Sequence, residues 1–166
     1  MNVQATGYAP ARFRSLLASV EDRLAAIPRC IPLLVLRLAL AVPFYKSGLT
    51  KWDGFLNLSG GAEFLFFSEF KLHILGQQYP YPFPLVMAYG AGIMEILLPI
   101  LLVFGLLTRF AALGLLVMTA IIQITVPEGW ANFHLPWAAM ALALVVFGPG
   151  AISVDRLIGG SRSASN

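Results

Sequence analysis

The sequence has 166 residues, of which 58% are hydrophobic and only 11% are charged, and its net charge is +3 at pH 7. A water-soluble domain of this length needs far more polar surface, so the composition excludes that class and indicates an integral membrane protein. The basic residues are spread along the chain rather than clustered, which argues against a nucleic-acid partner. The single cysteine, Cys30, excludes an intramolecular disulfide and a C-x-x-C redox pair, and no metal site is predicted.

Residues 1–29 come before the first long apolar stretch and are predicted to form a cytoplasmic segment that is amphipathic or partly disordered. Because Glu21, Asp22 and Arg23 interrupt it, this segment does not have the order of a signal peptide. Roughly 20 apolar residues cross a hydrocarbon core of about 30 Å. The sequence therefore predicts an all-α membrane protein, a four-transmembrane-helix bundle within residues 30–157 and a disordered tail over 158–166. The four spans are expected at about 30–49, 85–107, 110–126 and 135–147.

The distribution of basic residues predicts the orientation of these spans, since Lys and Arg are retained on the cytoplasmic side. One side carries seven arginines near the span ends: Arg12, Arg14, Arg23, Arg29, Arg109, Arg156 and Arg162. The other side carries Lys46, Lys51 and Lys71, nearly balanced by acids. We therefore expect both termini to be cytoplasmic and the protein to be a multi-pass protein of the bacterial inner (plasma) membrane.

The longer outer connection, roughly 50–84, contains "GGAEFLFFSEFKLHILG". In this segment Phe64, Phe67, Phe70 and Ile74 recur at helical spacing, which predicts an interfacial helix lying on the outer leaflet. The alternative is a loop that packs over the mouth of the bundle. The following "QQYPYPFP" has prolines at alternate positions and predicts a rigid, extended lead into the second span.

Two ionisable residues lie inside the predicted spans, Arg37 in the first and Glu95 in the second. Glu95 shares a helical face with small residues, so this face is expected to lie against the bundle. Antiparallel packing of the two spans would bring Arg37 and Glu95 to similar depths, which predicts an ion pair. Such a pair is either structural, fixing the helix register, or part of a site where Glu95 and Lys51 handle protons. Gln123 is expected to join this network or to cap a backbone group.

Aromatic and histidine side chains near the outer boundary give weaker candidates. Trp52, Tyr79, Tyr81 and His134 could form a quinone or lipid pocket, or these aromatic side chains could simply belong to an aromatic belt. His73 and His134 could share a metal or flank a quinone headgroup, although isolated loop histidines are more often solvated or structural. Since neither histidine lies within a predicted span, paired axial ligands for a transmembrane haem are not expected.

Several motifs together resemble those of a known family. They are an arginine in the first span followed by "FYKSGLTKWDGF", then "GIMEILLPILLVFGLLTRFAA", and finally "VVFGPGAISVDRL". Over about Leu36 to Leu157 the sequence resembles the DoxX family of small four-helix membrane proteins. The matching positions are Arg37, Gly48, Lys51, Glu95, Gly105, Thr108, Arg109, Gly148, Pro149, Gly150, Ser153 and Asp155.

The resemblance implies a link to quinone-dependent redox, because relatives of this family are subunits of a thiosulfate:quinone oxidoreductase or partners in membrane redox and stress complexes. It also marks the cytoplasmic turn. There Thr108 is expected to cap the third helix and Arg109 to anchor it at the interface, while Ser153 or Asp155 is expected to cap a short following helix or to pair with Arg109.

Two hypotheses about function follow. In the first, the protein is a subunit or accessory protein of a quinone-linked membrane redox or stress-response system, with a membrane or redox protein as partner. Its possible enzymatic contribution is proton handling by Glu95 or Lys51, because the chain encodes no redox centre of its own. In the second, it is a non-catalytic membrane scaffold or assembly protein whose Arg37–Glu95 core is structural. The sequence is compatible with a homo-oligomer and does not determine the oligomeric state.

Overall fold

The structure is a computed structural model that describes residues 11–159, without the side chain of Ala11. The described part contains seven α-helices: α1 (Ala11–Ala25), α2 (Cys30–Leu49), α3 (Gly60–Phe64), α4 (Pro84–Phe104), α5 (Thr108–Thr125), α6 (Leu135–Phe147) and α7 (Val154–Ile158). Two short strands, β1 (Lys71–Ile74) and β2 (Gln77–Pro80), pair antiparallel. Residues 1–10 of the predicted N-terminal segment and 160–166 of the predicted tail lie outside the described residues, whereas Ile158 of that tail ends α7.

Four helices are long and apolar enough to cross a membrane: Cys30–Leu49, Pro84–Phe104, Thr108–Thr125 and Pro127–Phe147. This confirms the predicted set of four apolar helices. The last one begins earlier than predicted, because a 3₁₀ turn (Pro127–Gly129) and a π-helical turn (Trp130–His134) lead directly into α6. At about 1.5 Å per residue, these 21 residues are long enough to cross the hydrocarbon core of a membrane, whereas the 13 residues of α6 alone are too short. The cytoplasmic location of both termini stays a prediction.

The four long helices pack as a bundle in which α2 contacts α4 and α6, and α5 contacts α4 and α6. Apolar side chains from all four fill its centre, among them Leu40, Phe44, Leu102, Leu115 and Leu144. The Phe44 ring also packs on the Trp137 ring of α6, with the centroids 5.0 Å apart. A glycine allows α2 and α4 to approach closely. A Cβ atom added to Gly48 would lie only 2.8 Å from Ile96 Cγ1 and 3.0 Å from the Glu95 carbonyl carbon.

The connection between α2 and α4, which was predicted to lie on the outer side, does not have the predicted secondary structure throughout. Ser59 caps α3 by accepting a hydrogen bond from the Ala62 amide, and the chain continues as a π-helical turn, Leu65–Glu69. The helix then stops, and Ile74, which the helical spacing had included, lies in β1. The predicted extended lead is partly strand β2, paired with β1. The location of α3 and the following π-helical turn in the membrane interface stays a prediction.

The turn between β1 and β2 explains why helical spacing failed there. Leu75 and Gly76 both have left-handed backbone conformations, with φ of 51° and 79°. Two consecutive left-handed residues are typical of a two-residue hairpin, but leucine is seldom found at the first of them. The sequence therefore lacked the usual Asn-Gly or Asp-Gly signal for this turn.

The close approach at Gly48 can be tested by a matched pair of substitutions. Alanine favours a helix over glycine by about 1 kcal/mol, so Gly90→Ala in α4, where the new Cβ meets nothing within 4 Å, should leave thermal stability in detergent unchanged or raise it. Gly48→Ala should lower the free energy of unfolding by on the order of 1–2 kcal/mol, because the Cβ would push α4 away from α2. Equal stability of the two variants would contradict this packing.

Candidate functional site

An ion pair joins the C-terminal end of α2 to the middle of α4. Lys51, two residues beyond α2, places its Nζ 2.5 Å from Glu95 Oε2, and both side chains are largely buried. Lys51 Nζ also donates a hydrogen bond to Ser47 Oγ at 3.1 Å. No other ion pair within 4.0 Å occurs among residues 11–159. Glu95 therefore has a cationic partner inside the protein.

The local geometry of α2 explains this pairing. Side chains on an α-helix tilt toward its N-terminus, so the Lys51 side chain runs back along α2 and deeper into the bundle. One turn below Lys51, Gly48 lets the backbone of α4 approach at Glu95. The long lysine side chain and the missing glycine side chain together bring the ammonium and carboxylate groups into contact.

The expected Arg37–Glu95 pair is not formed. Gly48 lies at the depth of Glu95, and it is 11 positions beyond Arg37 in α2, which corresponds to about 16 Å along the helix axis. The Arg37 side chain also tilts toward the N-terminus of α2, away from Glu95. Its Nη2 instead donates a hydrogen bond to the Ile152 carbonyl. The prediction failed because similar depth was estimated from helix length without the direction of the side chains.

Arg37 lies against the tight turn between α4 and α5. Gly105, which ends α4, has φ of 68°, and a Cβ atom there would overlap Arg37 Nη1 and lie 2.6 Å from Ser153 Cβ. The guanidinium group thus occupies space that only a glycine leaves open. Among the described residues, Arg37 Nε and Nη1 and the Thr108 hydroxyl are buried without a hydrogen-bond partner.

Asp155 holds the same turn from α7. Its carboxylate accepts hydrogen bonds from the Leu107 amide at 2.7 Å and the Thr108 amide at 2.9 Å, at the start of α5. The prediction that Thr108 caps this helix was wrong, because the Asp155 carboxylate takes that role. Asp155 also does not pair with Arg109, whose Nη1 donates to the Val145 carbonyl at 3.1 Å. Of the two residues expected to cap α7, Ser153 does so by accepting a hydrogen bond from the Arg156 amide.

A cavity of about 360 Å³ opens beside the Lys51–Glu95 pair, and we refer to it as the Lys51 cavity. Apart from the ion pair and the Tyr81 hydroxyl, its lining is apolar. The lining residues are Lys51, Phe66, Tyr81, Val86, Met87, Gly90, Ala91, Met94, Glu95, Met118, Ile121 and Ile122. The cavity thus lies between α4 and α5, and the π-helical turn after α3 contributes Phe66 to it.

Tyr81 connects the cavity lining to α5. Its hydroxyl hydrogen-bonds Thr125 Oγ1 at 2.5 Å, and its ring packs edge-on against Phe66 with the centroids 5.6 Å apart. Thr125 Oγ1 itself donates to the Ile121 carbonyl at 2.8 Å, so Tyr81 is the donor in this pair. Burial raises the pKa of Tyr81 above its ordinary value near 10. The phenol is therefore a neutral group at physiological pH.

The other three residues of the predicted quinone or lipid pocket do not line the Lys51 cavity. Trp52 lines a separate groove with Leu49 and Ile96, and its Nε1 donates to the Gly92 carbonyl at 3.4 Å. Tyr79 lies in β2 and is about half exposed. His134 is buried, and its Nδ1 hydrogen-bonds Gln123 Oε1 at 2.7 Å. The predicted four-residue pocket is therefore not formed, and only Tyr81 belongs to the cavity.

The two histidines have separate partners. His73 hydrogen-bonds the Ile124 carbonyl through Nδ1 and Gln78 through Nε2. Gln123 contacts His134 and also donates a hydrogen bond from Nε2 to the Pro127 carbonyl at 3.3 Å. It therefore caps a backbone group, which was one of the two roles predicted for it. Within residues 11–159, no group of three or more His, Cys, Asp or Glu residues could hold a metal ion.

Sequence reasoning missed the methionines and Phe66 in the cavity lining. A signal was present for part of this set, because Met87, Ala91, Met94 and Glu95 recur at spacings of four, three and one along α4 and so share a face. That α5 would add Met118 to the same cavity depends on how the two helices are rotated against each other. Periodicity within one helix does not determine that rotation.

These features define a membrane protein with four apolar helices and a polar pair held between the first two. The chain belongs to the DoxX family, whose sequence model matches residues 32–128, more than half of the chain. It is similar to an uncharacterized protein of Haemophilus influenzae (strain ATCC 51907 / DSM 11121 / KW20 / Rd). The two are 34% identical over 140 residues, covering 77% of this chain and 83% of the relative. No solved structure matches the chain with significance.

A double-mutant cycle tests which cation is the partner of Glu95. Removing one member of a buried ion pair leaves an uncompensated charge, so Lys51→Met and Glu95→Gln should each lower the free energy of unfolding by about 3 kcal/mol. The double variant should recover much of this loss, giving a coupling energy well above 1 kcal/mol in detergent denaturation experiments.

The matched cycle uses Arg37→Met with Glu95→Gln. Since these two side chains do not touch, their effects should add to within about 0.5 kcal/mol. Coupling between Arg37 and Glu95, with none between Lys51 and Glu95, would contradict the geometry of the site.

Proposed function

We propose that the protein is the membrane subunit or accessory protein of a quinone-linked redox or stress-response system and that it binds a quinone-type molecule in the Lys51 cavity. The observation that carries the proposal is the position of the Lys51–Glu95 pair. It forms part of the cavity wall instead of being sealed between α2 and α4. A pair with only a structural role needs no cavity beside it.

The cavity has the physical character that this ligand class requires. Its volume of about 360 Å³ falls in the range of small-molecule sites, which are mostly apolar with a few polar groups that fix orientation. The Met87, Met94 and Met118 side chains supply a flexible apolar wall that can adapt to a ring and an isoprenoid chain. Lys51 and Glu95 supply the polar end, so an amphipathic ligand has one preferred orientation.

The ion pair offers both functions that a quinone headgroup needs. Lys51 Nζ has hydrogens to donate to a carbonyl oxygen, and it already contacts Ser47 Oγ as well as Glu95. The Glu95 carboxylate can accept or return a proton at the same position. When bound, a quinone supplies reversible two-electron, two-proton chemistry. Electrons would come from a partner protein, and the residues of this chain would bind the headgroup and hold protons beside it.

The outer wall of the cavity supports selective entry. Phe66 and Tyr81 pack edge-on, and the Tyr81–Thr125 hydrogen bond fixes this aromatic pair to α5. Aromatic rings at this position exclude water from the polar pair while offering flat surfaces to a planar headgroup. We propose that the Phe66–Tyr81 pair forms the outer boundary of the binding site.

A specific observation favours a second candidate function, that of a scaffold. At the Arg37 end of the bundle, the Arg37 and Asp155 side chains hydrogen-bond only backbone groups, and these bonds join α2 to the segment before α7 and α7 to the start of α5. Such an arrangement stabilises the fold without a ligand. In a scaffold, the Lys51–Glu95 pair would likewise act only on helix register.

Ligand titration distinguishes these two functions. Purified protein in nanodiscs should bind a ubiquinone or menaquinone analogue, as measured by fluorescence or calorimetry. Glu95→Gln should weaken binding by about tenfold or more, because Lys51, the hydrogen-bond donor to the headgroup, loses the carboxylate that holds it at the cavity. Glu128→Gln is the matched control, since Glu128 is exposed and does not line the cavity, and it should bind as the unsubstituted protein does.

A second variant separates loss of binding from loss of folding. Met94→Trp fills the cavity without changing any charge, and it should abolish binding while the melting temperature is kept. Ile100→Trp places the same side chain in the Trp52 groove and should leave binding intact. No binding by the unsubstituted protein, or equal binding by the Met94 and Ile100 variants, would contradict the proposed function and favour the scaffold.

A further inference from the structure

Helix α1 presents an apolar face that nothing in the described structure covers. All residues from 12 to 29 are exposed. The exposed set includes five large apolar side chains of this helix, with exposed fractions from 47% to 65%: Phe13, Leu16, Leu17, Val20 and Leu24. At about 100° per residue these five lie within an arc of about 100°. An apolar face of this width on a regular helix requires a partner surface.

The charges of α1 are arranged around this face. On the same helical projection Arg12 and Arg23 lie along one edge of the apolar arc, and Arg14 lies along the other beside Glu21. Asp22 and Ser15 lie on the opposite side of the helix. Arginine side chains at the edges of an apolar face can extend outward to an anionic surface while their aliphatic parts stay in contact with that face.

The position of α1 in the chain limits what the partner can be. Only four residues, 26–29, separate Ala25 from Cys30, the first residue of a helix that is long and apolar enough to cross the membrane. Pro28 lies in this connection and prevents α1 and α2 from forming one continuous helix. The apolar face of α1 is therefore always within a few residues of the bilayer surface.

We infer that α1 is a membrane-surface helix that inserts its apolar face into the headgroup region and binds anionic phospholipids through Arg12, Arg14 and Arg23. The bilayer is favoured over a protein partner because Arg12 and Arg23 follow one edge of the apolar arc with no acid beside them, where phosphate groups surround an inserted helix. The four-residue connection also holds α1 at that surface without any further protein. This inference does not depend on a ligand in the Lys51 cavity.

The test uses the full chain in nanodiscs that hold one copy each. In a Cys30→Ser background, an environment-sensitive fluorophore is attached at Val20→Cys on the apolar face. The same fluorophore at Ser15→Cys on the opposite face is the control. In discs of phosphatidylcholine with phosphatidylglycerol, the Val20 label should show a blue-shifted emission and protection from an aqueous quencher. The Ser15 label should remain accessible to the quencher.

Charge dependence identifies the lipid. Near an anionic surface each arginine raises the ratio of membrane-bound to unbound helix about fivefold. The triple variant with Arg12, Arg14 and Arg23 replaced by Gln should therefore lower that ratio on the order of 100-fold. Discs of phosphatidylcholine alone should likewise reduce protection of the Val20 label. The inference is overturned if the Val20 label stays accessible in the anionic discs, or if its protection is unaffected by these arginines. Protection that appears only with two copies per disc would also overturn it, and would identify a second chain as the partner.

Discussion

A carboxylate in the middle of an apolar helix constrains how that helix packs. Glu95 lies within the 21 residues of α4, and an unpaired charge at such a depth costs on the order of 3 kcal/mol. Lys51 meets this requirement only because Gly48 lets α4 approach α2 at the level of Glu95. The register of α2 against α4 is therefore tied to a single ion pair, and the other two long helices close the bundle around that packed pair.

The two cations of the α2 segment have different partners. The Lys51 side chain reaches Glu95, whereas the Arg37 side chain reaches the turn at Gly105 and the Ile152 carbonyl. At the Arg37 end the polar side chains bond backbone groups, with Asp155 completing the start of α5. At the Lys51 end the ion pair itself lines a cavity. The exposure of this ion pair to a cavity is the reason for proposing that ligand chemistry belongs to the Lys51 end.

The sequence predicted the four apolar helices because their length and composition depend on local residues alone. It also marked Glu95, Lys51 and Tyr81 as candidates and raised a coupling of Glu95 to Lys51, but the ion pair that it predicted, Arg37–Glu95, is not formed. The pairing of Glu95 depends on side-chain direction, and the cavity depends on the rotation of α5 against α4. The β-hairpin was missed because Leu75 adopts a left-handed conformation that its residue type disfavours. Each failure concerns a relation between segments or an unusual backbone state.

The packing of α4 on α2 places Glu95 beside Lys51 and far from Arg37. Crosslinking in native membranes measures this arrangement, with paired cysteines introduced in a Cys30→Ser background and a short bifunctional thiol reagent. Lys51→Cys and Glu95→Cys should become crosslinked within the chain, whereas Arg37→Cys and Glu95→Cys should not, because Arg37 lies about 16 Å along α2 from the level of Glu95. Efficient crosslinking of the Arg37 pair, with none of the Lys51 pair, would contradict it.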